Sequence, residues 1–477
     1  MADSKDISTP TQSLPDHGEP SKADGLTFAR RGEQVDETTA VSDVSGFDAE
    51  RMRARSLLTA AEEKALMRRV DFRIMTICSL LFLMKNIDAD NISNARIMNK
   101  GTSRNIMTQL GMTSDEYNLL NVLKVPYIVL EAPSNLLLKK FRPSAWQSRI
   151  MISWGIALLC HVPVSNKGGI YATRFILGAF EAGMFPGVIL QMTYWYRPDE
   201  MSIRLLYFFP PTAKWLSDKE KAFIQARLPA NAPRAEEMNF NWSEIVDSLK
   251  DRRLWLFTAI WATFTVGTSG VRFYQPTVIA NLGFTTIARA QLLNLPISIL
   301  AIFVIGVTGF FADKGLIPRP LYPLGVFSVI LACYGVLVAY PSNGAVYAAT
   351  LIGNAFTAAF FPLMWPWRVQ TTSRATGSAF SIGFVNSYGQ IGGAIGPQIF
   401  RSKYAPRYQT SFAAAMALVG CCAIITCITW WVTRKTESDT RRLKRARVRA
   451  EREGLAVLDD VVDRDLNKKR SDDEESA

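Results

Sequence analysis

Ten long apolar segments limit what this chain can fold into. Each has about the length, roughly 17–25 residues, that an α-helix needs to cross the hydrocarbon core of a bilayer. Because lipid offers no hydrogen-bond partners to an open backbone, segments of this kind cross it as helices. We therefore predict an all-α polytopic membrane protein with spans at 72–91, 119–138, 150–164, 170–194, 254–277, 293–311, 321–340, 345–364, 379–400 and 412–432.

The spans are unevenly distributed along the chain. Four precede a polar stretch and six follow it, whereas a transporter built from two six-helix halves would have six on each side. Residues 1–67 are rich in Ser, Asp, Glu, Arg and Gly with little apolar periodicity, which predicts disorder. The predicted regions are this tail (1–67), a four-span half (68–209), a cytosolic linker (210–253), a six-span half (254–433) and a charged tail (434–477).

The basic residues indicate topology rather than nucleic-acid binding. The formal net charge is +12, but the Lys and Arg residues lie at span ends and in the C-terminal tail. Most of the basic loops fall on one side if the N-terminus is cytosolic, as the positive-inside rule requires. The loop 400–409 is the exception, with three basic residues on the outer side. We expect an integral multi-pass protein of the plasma membrane with both termini in the cytosol.

The sequence offers no support for an enzyme. Its six cysteines lie within or at the ends of apolar segments, and it has only two histidines. We find no metal-spaced cluster, phosphate loop or nucleotide fingerprint, and no pairing of a nucleophile with a base. We therefore predict neither a metal nor a cofactor.

Charged residues within the spans are the first candidates for function, because a charge in hydrocarbon normally faces a cavity or a partner. Asp88 and Asn91 share one face of the first span. Arg174 and Glu181 in the fourth span are seven residues apart, about 10 Å along a helix axis and on the same side. Two interpretations stay open for these residues: a structural ion-pair network between helices, or direct binding of a ligand or proton.

Polar and small residues mark the later spans as well. Asn386 and Gln390 share a face of the ninth span and indicate either an interhelical hydrogen bond or a cavity lining. Pro186 and Pro397 are expected to kink their helices. Small residues at four-residue spacing let helix backbones approach closely: Gly178 with Ala182, Gly183 with Gly187, Gly389 with Gly393, and Gly392 with Gly396.

The segment 174–187, RFILGAFEAGMFPG, resembles the fourth helix of the major facilitator superfamily. It is similar in particular to the fungal anion:cation symporters, such as allantoate, pantothenate and nicotinate permeases. Further stretches resemble this family in the same order along residues 70–432: 88–95, 131–144, 213–221, 290–296, 309–314, 372–375 and 396–408.

The resemblance implies a proton-coupled symporter of a small organic anion, such as a carboxylate or a vitamin-like compound, that works by alternating access. Its cavity would lie between the two halves near the midplane, lined or braced by the four charged and amide residues of the first and fourth spans. An arginine suits a carboxylate, and an acid can carry the coupled proton.

Asp313 matches the loop motif that, in the family, braces helix ends during the change between conformations. Arg374 lies in a short cytosolic loop, where it is either a topology anchor or part of the same switch. We expect a monomer whose partners are the anion, protons and the lipid bilayer.

The chain departs from the family pattern in two places. Asp88 is followed by Ala89, where the family has a basic residue. At 204–215 the start of a fifth helix is fused to the end of a sixth, so this pair of helices is missing as a unit. Loss of two spans leaves both flanks on the same side. A real deletion would give a non-transporting sensor or an inert paralogue with ten helices. An exon-boundary error would instead conceal an ordinary twelve-helix transporter.

Overall fold

The computed structural model describes residues 21–23, 26–35, 52–99, 101–122, 125–141, 143–197, 200, 217–228, 242–281, 293, 295–372, 375–405 and 407–459. Within these ranges the chain is mostly helical, with three short strands. The junction at 204–215 and the candidate Arg374 lie outside the described residues. The described chain divides into two compact units, a membrane unit (71–212 and 231–438) and a tail unit (1–70, 213–230 and 439–477).

The predicted spans all fall on helices. In chain order the helices are α1 (Ala60–Ile97), α2 (Ile106–Gln109), α3 (Ser114–Val122), α4 (Val125–Lys140), α5 (Pro143–Leu159), α6 (Lys167–Glu181), α7 (Met184–Thr193), α8 (Asp218–Arg227), α9 (Trp242–Lys250), α10 (Arg252–Asn281), α11 (Leu295–Lys314), α12 (Leu321–Ala339), α13 (Asn343–Ala358), α14 (Phe360–Val369), α15 (Ala375–Gly389), α16 (Ile391–Ile399) and α17 (Gln409–Arg452).

Length and hydropathy alone identify six membrane spans among the described residues. These are Lys167–Leu190, Arg252–Ile279, Pro296–Lys314, Leu321–Ala339, Asn343–Val369 and Gln409–Arg452. The other four predicted spans also lie on helices, in α1, α3 with α4, α5, and α15 with α16. The fold is therefore a helical membrane fold, compatible with about ten spans.

Two spans are interrupted near their middle. In the fourth span α6 ends at Glu181 and α7 begins at Met184, with Gly183 between them at φ +87°. Pro186 cannot donate a hydrogen bond to the carbonyl of Ala182, so the expected kink becomes a break there. In the ninth span the interruption lies at Gln390, while Pro397 is accommodated inside α16.

Glycines bring α16 against α10, as their spacing predicts. A Cβ atom at Gly392 would overlap the backbone of Thr265. One at Gly396 would lie 2.8 Å from the backbone nitrogen of Gly270. Only glycine permits backbones this close, and the contact joins the ninth predicted span to the fifth.

The tail unit contains a sheet where the sequence predicts disorder. Strands β1 (Ser21–Ala23), β2 (Leu26–Arg30) and β3 (Leu455–Val457) pair antiparallel in that order. Phe28 pairs with Val457 and packs against Leu443 and Ala450 of α17. The prediction differs here because the strand that completes the sheet comes from the other end of the chain, which local periodicity does not show.

Arg55 ties three segments of the tail unit together. Its buried guanidinium donates hydrogen bonds to the carbonyls of Ala226, Leu228, Leu458 and Asp459 at 2.7–3.0 Å. These four acceptors belong to the linker helix and to the C-terminal tail, so one side chain joins them to the N-terminal segment.

Two helices, α1 and α8, begin within the described part of the tail unit, and both are capped by side chains at their N-termini. The predicted capping box is present at α8, where Ser217 and Glu220 each bond to the other's backbone N–H. At α1, the backbone N–H of Thr59 bonds to Glu62 at 2.8 Å and holds the pKa of that carboxyl below its usual value.

Candidate functional site

Two ion pairs join the first and fourth spans. Arg174 Nη1 lies 3.9 Å from Asp88 Oδ1, and Lys85 Nζ lies 3.4 Å from Glu181 Oε1. All four side chains are largely withdrawn from solvent, with 9–18% of their surface exposed. The cations and acids alternate between α1 and α6, so each charge faces an opposite one across the helix contact.

This geometry brings together three of the predicted residues, Asp88, Arg174 and Glu181. It gives them the ion-pair arrangement that was one of the two open interpretations. Asn91 is on the same helix but is exposed, so it does not join the pairs. The arrangement is compatible with ligand binding, because an ion pair at 3.9 Å is too long for a hydrogen bond and leaves donors of the arginine unused.

Lys85 is a site residue that the sequence analysis missed. Its ammonium group also lies 5.5 Å from the ring centroids of both Tyr127 and Phe185, a distance at which a cation is attracted to an aromatic face. The signal was present in the sequence, since Lys85 is a charge inside an apolar segment and lies one helical turn before Asp88.

Glu131 is a second residue that the sequence analysis did not single out. It lies in α4 with 0% of its surface exposed, and its Oε1 accepts a hydrogen bond from Nδ2 of the equally buried Asn386 in α15. One turn further along α4, Asn135 Nδ2 donates to the carbonyl of Ala379 at 2.8 Å. These bonds connect the first half of the membrane unit to the second.

Asn386 therefore makes an interhelical hydrogen bond, one of its two predicted roles. Gln390 is half-buried at the break between α15 and α16, and it shares no described contact with the ion pairs.

Asp313 lies at a helix junction. Its carboxylate accepts a hydrogen bond from Arg319 Nη2 at 3.4 Å, and the backbone N–H of Arg319 donates to Glu437 at 3.1 Å. Asp313 thus braces the end of α11 against the turn before α12, and Arg319 extends the contact to α17. The role of Asp313 in conformational switching stays a prediction.

Besides the Glu131–Asn386 and Asn135–Ala379 hydrogen bonds, a third contact joins the two halves. Asn118 of α3 donates to the hydroxyl of Tyr274 of α10 at 2.9 Å, and Arg96 of α1 donates to Asn118 Oδ1 at 3.3 Å. The Arg96 guanidinium lies 4.6 Å from the Tyr274 ring centroid. The rings of Phe400 and Tyr408 pack on Tyr274 from the other side. None of these residues was predicted.

The described residues thus hold two cation–acid pairs beside a buried acid–amide contact. This chemistry suits binding of an anion and of protons. In the part of the chain that the structure describes, no three His, Cys, Asp or Glu side chains are grouped as a metal site.

Comparisons with known proteins identify relatives over most of the chain. The family model described as Major Facilitator Superfamily matches residues 202–397. The "MFS-type transporter cnsO" of Penicillium expansum is 25% identical, over 86% of this chain and 91% of that protein. The "MFS transporter prlL" of a fungal species is 26% identical, over 76% and 86%.

The alignment with the Penicillium protein covers 481 residues, more than the 477 of this chain, although only 86% of this chain takes part. That relative therefore has residues without a counterpart here.

Solved structures share the fold. The human organic anion transporter MFSD10 superposes with a TM-score of 0.52 at 12% identity, over 67% of this chain and 87% of that one. The fucose:proton symporter FucP of E. coli gives a TM-score of 0.50 at 10% identity, over 71% and 95%.

Proposed function

We propose that the chain belongs to the major facilitator superfamily, whose model matches residues 202–397, and that it carries a small organic anion across the membrane together with protons. The matched family model and the named relatives support an integral multi-pass membrane transporter. The proposed mechanism is alternating access, in which the two halves expose a central site to one side at a time.

The observation that carries the proposal is the unused hydrogen-bonding capacity of Arg174. Its ion pair with Asp88 is 3.9 Å long. Its Nε is buried and has no hydrogen-bond partner among the described residues. A guanidinium can bind a carboxylate through two parallel hydrogen bonds, so a substrate carboxylate could take the place that Asp88 now holds loosely.

Proton coupling follows from the same pairs. If an anion displaces Asp88 from Arg174, it adds a negative charge to the site, and a proton bound by an acid near the pairs balances that charge. Anion and proton would then cross together, without a net change in the charge of the site.

The names of two solved structures with this fold support both elements of the proposal. One is named as an organic anion transporter and the other as a proton symporter. The positive-inside pattern supports cytosolic positions for both termini, and we propose the plasma membrane as the location. We propose that it acts as a monomer.

The test is uptake into proteoliposomes under an inward proton gradient, with radiolabelled allantoate, pantothenate and nicotinate as probes. We expect at least one probe to accumulate, and a protonophore to abolish the accumulation.

Arg174→Lys keeps the positive charge but loses the planar, two-pronged guanidinium group, so uptake should fall about 10-fold, as expected for one lost charge-assisted hydrogen bond. Arg401→Lys, in an exposed loop, is the matched control. Equal uptake by both variants would contradict the assigned role of Arg174.

A second candidate is a non-transporting sensor or inert paralogue. It is favoured by the residues of the Penicillium relative that have no counterpart here, as expected if two helices are absent. This candidate predicts a folded protein that accumulates none of the probes with or without the gradient.

A further inference from the structure

If the proposed function holds, the structure limits which acidic residue can bind the coupled proton. Among the described residues of the first four spans, Asp88, Glu181 and Glu131 are carboxylates withdrawn from solvent, on α1, α6 and α4. Asp88 faces Arg174 and Glu181 faces Lys85. An ion pair favours the charged form of an acid, and each of these two acids has a cation opposite it.

Glu131 has different surroundings. No ion pair reaches it among the described residues, and its nearest cation, Lys85, is already bound to Glu181. The facing helices α7, α15 and α16 contribute no Asp, Glu, Lys or Arg. The remaining charges on the helices packed against α4 are Arg149 of α5 and, on α6, Lys167 and Arg174, which pair with Glu116 and Asp88. A buried carboxylate without a cation is costly, and a proton removes that cost.

The atoms around Glu131 have room for that proton. Its Oε2 and the Oδ1 of Asn386 are both buried without a hydrogen-bond partner in the described structure. The hydroxyls of Tyr127 and Ser387, which also neighbour the carboxyl group, likewise have no hydrogen-bond partner among the described residues. Native proteins rarely leave so many buried polar atoms unpaired without a reason.

We propose that Glu131 is the residue that binds the coupled proton, and that the proton strengthens the contact between the two halves through Asn386. As a carboxylate, Glu131 accepts one hydrogen bond from the Asn386 amide. A proton on Oε2 adds a donor that faces the free Oδ1 of Asn386, so acid and amide form two hydrogen bonds instead of one. The proton enters from water on one side and leaves to water on the other, and no other bond changes. Protonation thus locks α4 to α15, and deprotonation loosens them.

The first experiment needs no substrate. Infrared difference spectra of the purified full-length protein in liposomes are recorded between mildly acidic and mildly basic pH. We expect a carbonyl band from a protonated carboxylic acid that disappears as pH rises, is absent in Glu131→Gln, and persists in Asp88→Asn and Glu181→Gln. Glu116→Gln, at a partly exposed position away from these three acids, is the matched control. A band that persists in Glu131→Gln and is lost in either of the other two overturns the proposal.

Asn386→Ala covers the case in which Glu131→Gln does not fold. The band should remain in this variant, but its titration midpoint should move because the amide partner is gone. An unchanged midpoint contradicts the role of Asn386.

A transport assay then separates this proposal from the proposed function. With any probe that the wild type accumulates, Glu131→Gln should keep anion exchange but lose about 10-fold or more of proton-driven accumulation. Loss of exchange and accumulation together would make Glu131 structural. If the wild type accumulates no probe, the proposed function fails while the infrared result still decides whether Glu131 binds a proton.

Discussion

At the scale of single residues, the ion pairs explain why charges persist inside the membrane unit. Each cation of the pairs has its own acid, and both partners are withdrawn from solvent. Such a pair adds little net stability over apolar residues, but removal of one partner leaves a buried charge uncompensated. The loss of folding stability caused by a substitution therefore depends on whether one partner of the pair or both are replaced.

Lys85→Met tests this directly. It strands Glu181, and we expect the free energy of unfolding to fall by about 3 kcal/mol. The double variant Lys85→Met/Glu181→Leu should recover most of that loss. Thermal unfolding in detergent measures both, with Lys167→Met in the exposed pair with Glu116 as the control. If the double variant is no more stable than the single one, the two side chains are not coupled.

The sequence reveals which residues are unusual but not how they pair. Asp88, Arg174 and Glu181 stand out because a charge in an apolar segment needs a partner, and the same rule applies to Lys85 and Glu131. Their partners depend on which helices are neighbours, and that information lies in tertiary packing. For this reason the sequence left Asn386 with two possible roles. In the structure α4 lies beside it, and Asn386 donates a hydrogen bond to Glu131 of that helix.

At the scale of helices, the glycine motifs show a similar limit to what the sequence alone can predict. Gly389 with Gly393 and Gly392 with Gly396 have the same spacing, so the sequence alone does not show which face packs. In the structure Gly392 lies against the backbone of α10, whereas a Cβ at Gly393 would meet nothing within 4 Å.

Gly392→Ala and Gly393→Ala therefore form a matched pair of variants. The first forces α16 away from Thr265 and should cost about 1–3 kcal/mol of unfolding free energy through overpacking. The second should change it by less than about 0.5 kcal/mol. Thermal unfolding in the same detergent compares them. Equal melting temperatures would mean that α16 does not pack against α10 through Gly392.

The tail unit allows a test at the same scale. Arg55→Met removes four hydrogen bonds to carbonyls of the linker and the C-terminal tail, and buried acceptors left without donors are costly. We expect faster amide hydrogen exchange in β2 and β3, measured by mass spectrometry. Lys64→Met, an exposed position in the same unit, should exchange like the wild type. Unchanged exchange in Arg55→Met would show that the sheet does not depend on this side chain.

At the scale of the whole molecule, the helices were predictable because apolar length is a local property of the sequence. The sheet was not, since β2 and β3 lie at opposite ends of the chain and each is too short to show a period of its own. The break at Gly183 was anticipated only as a kink at Pro186. The uneven count of spans was visible in the sequence alone, and it affects function more than any single residue does.

Sequencing the transcript across the codons for residues 204–215 tests that uneven count. We expect it to contain additional coding sequence for two helices, roughly 40 residues, because the Penicillium relative has residues without a counterpart here. The twelve-helix product should then accumulate more of the anion in the proteoliposome assay than the ten-helix chain does, since a wall of the first half is absent from the shorter form. A transcript that matches the given sequence would contradict this expectation and make the ten-helix form the true protein. In that case anion uptake by this chain would still support transport, and its absence would support the non-transporting paralogue.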